Sequence, residues 1–344
     1  MFKNLKWKPP SDWDVIKTID LHTCGEPLRV FTGGLPEIKG KTILDKRRYF
    51  RDNLDYIRKG TMWEPRGHSD MYGAVITEPT TPDGDFGTFF LHNEGYSTMC
   101  GHAMIALVTL VIETGLISKS GSDPEIKIDA PPGRINAYPH IRNGKVRSVT
   151  FKNVSSFLLM KNKTVNVPGI GSVDFDIAYG GAFYAFVQAN ELGLSLDNSS
   201  YDKLINYGRK IKRSVIDNYD IQHPFEDDLS FLYGTIFIGE ALDKTNHSRN
   251  VCIFADGELD RSPTGSGVSA RVAIHHAKGE LQVGELISIE SILGTIMHVK
   301  VSETSTYGNY NSVIPEVTGT ASITGQNSFY FDPEDPLKSG FILR

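Results

Sequence analysis

One stretch of this chain, "CGHAMIALVTLVIETG" over residues 100–115, restricts its possible folds more than any other. From Ala103 to Ile112 only Thr109 is polar, so a helix here has no water-facing side and must be enclosed all round. The apolar run is about half the length a bilayer demands, so the enclosure has to come from the rest of the protein. Gly115 is the C-cap candidate.

The flanking sequence supplies strands. Residues 15–35 alternate apolar and polar positions around turn signals and read as a hairpin bending at Gly25, Gly33 and Gly34. Residues 42–59 carry helical spacing among many charges and predict a surface helix. "YGAVITEP" and "FGTFFLHNEG" read as strands before the enclosed helix, and strand alternation resumes after it.

Near residue 155 the pattern starts again. "SVDFDIAYGGAFYAFVQAN" is strand-like, 200–217 is helical, "LYGTIFIG" and "RNVCIFADGELD" are strands, and "TGSGVSARVAIHHAKGEL" is a second compact helix. The strand-rich "ELISIESILGTIMHVKVSE" closes the order. The order of elements thus repeats, which predicts an α+β protein of two pseudo-symmetric halves, each a β half-barrel around a central helix, with a cleft between them. The expected N-terminal half is 1–154, with the tail 325–344 a candidate to complete it, and the C-terminal half is 155–324.

Composition excludes several functions. A net charge of −5 with 22% charged residues gives no basic excess for nucleic acid or an anionic membrane. The N-terminal "MFKNLKWKPPSDWD" lacks the apolar core of a secretory signal, so the expected location is cytoplasmic. Cys24, Cys100 and Cys252 are an odd number at long spacings and predict no disulfide framework. His22, Cys24, Cys100 and His102 do not have zinc-site spacing, so no metal is expected. The loop "DRSPTGSGVSA" lacks a P-loop ending, which argues against a nucleotide, and His275-His276 reads as structural.

The two turns that enter the compact helices, "YSTMCGHAM" and "DRSPTGSGV", each place one hydroxyl or thiol directly before a glycine: Cys100-Gly101 and Thr264-Gly265. A helix N-terminus offers unpaired N–H groups and partial positive charge, so it attracts a carboxylate or phosphate. That field is expected to lower the thiol of Cys100 from about 8.5 toward roughly 3.5–7.5, making it a candidate base or nucleophile. Taken singly, Cys100 reads first as inert packing and "TGSG" as a plain turn or phosphate nest, while His102 reads equally as a cap and Asp260 as a turn former. The matched pair of turns carries the functional reading: a small α-imino acid held by its carboxylate, its α-carbon between Cys100 and Thr264.

Together "MCGH", "DRSPTGSG", "IDLHTCGEPLRV" and "GGAFYAFV" resemble the proline racemase family over nearly the whole chain. The resemblance implies the diaminopimelate-epimerase-like fold, no cofactor, and an imino-acid substrate between the halves; a homodimer stays open. Family racemases and epimerases carry cysteine in both turns, whereas Thr264 has no thiol to donate or accept a proton near neutrality. Cysteine with threonine resembles the family's trans-3-hydroxy-L-proline dehydratases. By position, Cys100 is then the base and Thr264 its catalytic counterpart. The amides of Gly101, His102, Gly265 and Ser266 hold the carboxylate, Asp260 and His102 bind the ring nitrogen, and Tyr72 and Phe254 pack on the ring. The alternative is a racemase or hydroxyproline 2-epimerase that uses a second acid other than cysteine.

Overall fold

A computed structural model describes residues 7–343. Strands β1 (Asp14–Thr23) and β2 (Glu26–Gly33) form the expected hairpin, turning at Cys24 and Gly25, both at positive φ. The single surface helix expected over 42–59 is instead two, α1 (Ile43–Asn53) and α2 (Asp55–Met62), broken at Leu54. Phe50, Leu54 and Ile57 all enter one buried cluster, and the break at Leu54 lets both helices face it. Thr42 and Asp45 close a capping box at the start of α1.

The first half continues with β3 (Tyr72–Thr77), β4 (Phe86–His92), β5 (Tyr96–Ser97), α3 (Gly101–Glu113), β6 (Ile126–Ala130), β7 (Gly133–Arg142) and β8 (Lys145–Lys152). There follow β9 (Ser156–Val167), β10 (Gly171–Tyr179), β11 (Phe183–Gln188), α4 (Tyr201–Asn218), β12 (Leu232–Gly239), β13 (Ser248–Phe254) and β14 (Glu258–Leu259). The order ends with α5 (Gly265–Ala277), β15 (Leu286–Glu290), β16 (Ile296–Tyr307), β17 (Tyr310–Gly319) and β18 (Ala321–Phe331). The last two strands lie beyond the expected close of the order at Glu303. β18 is rich in Ser, Thr, Asn and Gly and mostly solvent-facing, so it lacks the apolar alternation that marks a half-buried strand.

Pairing repeats strand by strand. β1–β2 and β10–β11 are antiparallel, β2–β3 and β11–β12 parallel, β3–β4 and β12–β13 antiparallel, and β4–β6 and β13–β15 parallel. β18 lies antiparallel on β1 as β9 lies on β10. The fold is α+β, with two pseudo-symmetric halves that each curl a β half-barrel around one helix, α3 in the first and α5 in the second.

Each central helix is 13 residues long. Every residue from Gly101 to Val111 is buried, as is every residue from Gly265 to Ile274. With about 1.5–3 kcal/mol for each buried large aliphatic side chain, this enclosure dominates the local energetics. Arg271 is the charged exception, and its guanidinium donates to Asn250 Oδ1 at 2.8 Å. His275 reaches Glu280 and His276 the Leu281 carbonyl, at the opposite end of α5 from its N-terminus. Among the described residues no helix is long and apolar enough to cross a membrane.

The two central helices meet at their N-termini. A Cβ built on Gly101 would lie 2.5 Å from the Cα of Gly265, and one built on Gly265 would lie 2.5 Å from the Cα of Gly101. The obstacle is backbone, so no rotamer change relieves it. Gly265→Ala should therefore lower unfolding free energy by about 2 kcal/mol or more in urea titration. Gly325→Ala, where an added Cβ meets nothing within 4 Å, should stay within about 0.5 kcal/mol of the parent. Equal stability of the two variants would contradict this contact.

Candidate active site

Around that contact lies a small, narrow cleft. All nine residues singled out from the sequence line it: Cys100, Gly101, His102, Tyr72, Phe254, Asp260, Thr264, Gly265 and Ser266. It is also lined by Met99, Tyr184, Tyr233 and Cys252, which the sequence reading did not select. Tyr184 lies inside the "GGAFYAFV" segment already noted. Tyr233 was detectable through the internal repeat, because "LYGTIF" at 232–237 matches "MYGAVI" at 71–76. Nothing in sequence distinguishes Cys252 from a core cysteine in a strand.

Cys100 is the N-cap of α3, with extended backbone, and its sulfur accepts from the Ala103 N–H at 3.4 Å. His102 brings Nδ1 to 3.1 Å from the same sulfur. The expected lowering of this thiol is not what the closed cleft produces. Burial pushes the Cys100 thiol well above its ordinary range, the Ala103 N–H pulls it back only partly, and the Asp260 charge adds to the rise. Removing the hydration of a thiolate outweighs one backbone hydrogen bond at the helix end. Burial also pushes His102 down and so favours the neutral imidazole, while the Asp260 charge opposes that shift.

Thr264 caps α5 from a left-handed backbone conformation, φ 67°, unusual for a β-branched residue and worth about 1–3 kcal/mol of local strain. Its hydroxyl donates to Asp260 Oδ2 at 2.8 Å, while Asp260 Oδ1 accepts from the Ser262 N–H at 2.7 Å. Asp260 thus pins the turn and still faces the cleft beside His102. Ser266 Oγ pairs with the Tyr184 hydroxyl at 2.7 Å. The backbone N–H groups of Gly101, His102, Gly265 and Ser266 have no acceptor among the described residues. Four donors at two positive helix ends make a ready site for an anion.

Aromatic rings form the rest of the wall. Tyr72 packs edge-on to His102 at 4.9 Å and to Phe254 at 6.0 Å, and Tyr233 stacks on Phe254 at 5.5 Å. Polar contacts bridge the two halves: Arg261 donates its N–H to Glu26 Oε2 at 2.7 Å and pairs with Asp70 at 2.9 Å. Among the described residues no three His, Cys, Asp or Glu side chains gather as a metal site.

A sequence model of the proline racemase family matches residues 18–342. The chain belongs to the proline racemase family. A trans-3-hydroxy-L-proline dehydratase from Colwellia psychrerythraea is 51% identical, the match covering 98% of this chain and 96% of the relative. A proline racemase from Clostridioides difficile is 42% identical, covering 96% of this chain and 98% of the relative. The crystal structure of a hydroxyproline epimerase from Agrobacterium vitis, with bound trans-4-hydroxy-L-proline, superposes with a TM-score of 0.90 at 27% identity, covering 96% of each chain.

A raised thiol makes a prediction for the free protein. The thiolate fraction of Cys100 is small at neutral pH and grows as pH climbs toward the elevated value. Alkylation of Cys100 by iodoacetamide, followed by peptide mass, should still be accelerating between about pH 9 and 10. A plateau reached by about pH 7.5 would show that the helix end outweighs burial after all.

Proposed function

We propose that this protein is a cofactor-independent trans-3-hydroxy-L-proline dehydratase with Cys100 as its single base. The observation that carries the reading is Thr264: it stands where a second cysteine would serve a racemase, and its hydroxyl is committed to Asp260. The 51% identical relative of that name supports the same substrate.

In this reading the substrate carboxylate sits on the amides of Gly101, His102, Gly265 and Ser266. The ring nitrogen faces Asp260 and His102, and Tyr72 and Phe254 pack on the ring. The positively charged ring nitrogen supplies a cation close enough to offset the burial of the thiolate. A neutral His102 beside the sulfur is placed to relay the thiol proton.

In trans-3-hydroxy-L-proline the hydroxyl lies opposite the carboxylate, hence on the ring face that carries the α-hydrogen. Cys100 thiolate takes the α-proton, and the C–H electron pair forms the double bond between the α-carbon and C3. The C3–O bond breaks, and the thiol returns its proton to the departing oxygen as water. The enamine then moves its N–H proton to C3 and becomes Δ1-pyrroline-2-carboxylate. The elimination is syn, and the developing negative charge is met by the two helix ends.

The alternative reading, a racemase or epimerase with a second acid other than cysteine, has to draw on Ser266 or water, and Ser266 Oγ is already paired with the Tyr184 hydroxyl at 2.7 Å. The two readings separate in heavy water. The dehydratase yields an imine that reacts with o-aminobenzaldehyde, whereas an epimerase yields α-deuterated D-isomer from L-proline or 4-hydroxyproline. We expect the imine alone.

Cys100→Ser should reduce imine formation by roughly 10³-fold or more, since a hydroxyl is no base near neutrality; full activity in that variant excludes Cys100 as the base. Thr264→Cys should gain α-deuterium exchange or inversion on L-proline or 4-hydroxyproline, measured by NMR. Absence of both would show that residue 264 is not the switch between the two chemistries.

A further inference from the structure

The substrate of the reaction proposed above carries three polar groups, and that reading gives partners to two of them. The carboxylate has the helix amides and the ring nitrogen has Asp260 with His102, but the 3-hydroxyl, whose departure is the reaction, has only the returning proton of Cys100.

Three tyrosine hydroxyls belong to residues that line the cleft. Tyr72 donates to Ser97 Oγ at 2.5 Å, and Tyr184 pairs with Ser266 Oγ at 2.7 Å. The Tyr233 hydroxyl is buried and makes no hydrogen bond of standard geometry among the described residues; the Tyr72 phenol, already donating to Ser97, is the polar side chain that interacts with it across the cleft. A buried hydroxyl left unpaired is costly, so an orphan inside a binding cleft points to a ligand atom. Its ring is held firmly, stacked on Phe254 with 30° between planes and set edge-on to Tyr184 at 5.9 Å and His92 at 6.0 Å.

The repeat sharpens the contrast. Tyr72 opens β3 and Tyr233 sits at the matching place in β12, so the pseudo-symmetry puts one phenol on each side of the cleft. Only the first has been tied down by a neighbouring serine.

We infer that the Tyr233 hydroxyl binds the ring 3-hydroxyl of the substrate and makes Tyr233 a specificity-determining and catalytic residue. This rests on the dehydratase reading. Burial raises the phenol well above its ordinary range, so it remains a proton-bearing donor at any working pH. The Cys100 sulfur is among the groups whose charge it feels, which sets it near the thiol that acts on the same ring face. The hydrogen bond strengthens as the oxygen gains charge during C3–O cleavage, and Tyr233 keeps its proton while Cys100 supplies the one that completes water.

The test is Tyr233→Phe in the full chain, assayed with trans-3-hydroxy-L-proline, with inhibition by pyrrole-2-carboxylate measured alongside. Pyrrole-2-carboxylate has the carboxylate and ring but no hydroxyl, so its inhibition constant reports whether the rest of the cleft is intact. The expected result is a 10- to 100-fold loss of kcat/KM falling mainly on kcat, with the inhibition constant changed less than about twofold. Imine formation at the wild-type rate in the variant overturns this inference and leaves the dehydratase reading standing. Parallel weakening of pyrrole-2-carboxylate also overturns it, because Tyr233 would then shape the cleft rather than bind the hydroxyl. No imine from the parent protein removes the dehydratase reading and this inference with it.

Discussion

Two helix N-termini in contact form an unfavourable arrangement unless something negative lies between or beside them. Each end carries about half a positive charge and several unpaired N–H groups, so like poles face each other where Gly101 meets Gly265. The contact is imposed by the enclosures: α3 and α5 are each surrounded by strands of their own half, and the shared strand interface brings the halves together. Glycine at both positions allows the backbones to approach, and in the proposed reading the substrate carboxylate resolves the electrostatics. The residues just before each glycine, Cys100 and Thr264, are thereby fixed on either side of wherever that anion binds.

The same enclosure sets the chemistry against the simplest reading of a helix end. The field of α3 favours a thiolate, yet loss of hydration on burial disfavours it more, and burial wins at Cys100. In the proposed reaction a substrate with a charged ring nitrogen shifts this balance, so the Cys100 thiolate is scarce in the free protein and more populated in the complex.

Much of this was legible in the sequence because it depended on local pattern. The apolar run from Ala103 to Ile112 announced an enclosed helix, and the Cys-Gly and Thr-Gly turns located the residues that now line one cleft. Other features rested on tertiary context. The break at Leu54 comes from two helices sharing one cluster, and β18 is held by pairing with β1 rather than by an apolar face. Tyr184 and Cys252 reach the cleft from strands whose alternation looks like ordinary core. The direction of the Cys100 shift was misread because a sequence displays the helix end but not the desolvation opposing it.

The central claim is that the substrate carboxylate lies on the paired helix ends with its α-carbon facing Cys100. A crystal structure of the protein with pyrrole-2-carboxylate tests it most directly. The account predicts carboxylate oxygens about 2.7–3.2 Å from amide nitrogens of both turns, Gly101 or His102 on one side and Gly265 or Ser266 on the other. A carboxylate bound instead by the Arg261 guanidinium, or a ring turned with its α-carbon away from the Cys100 sulfur, would contradict it.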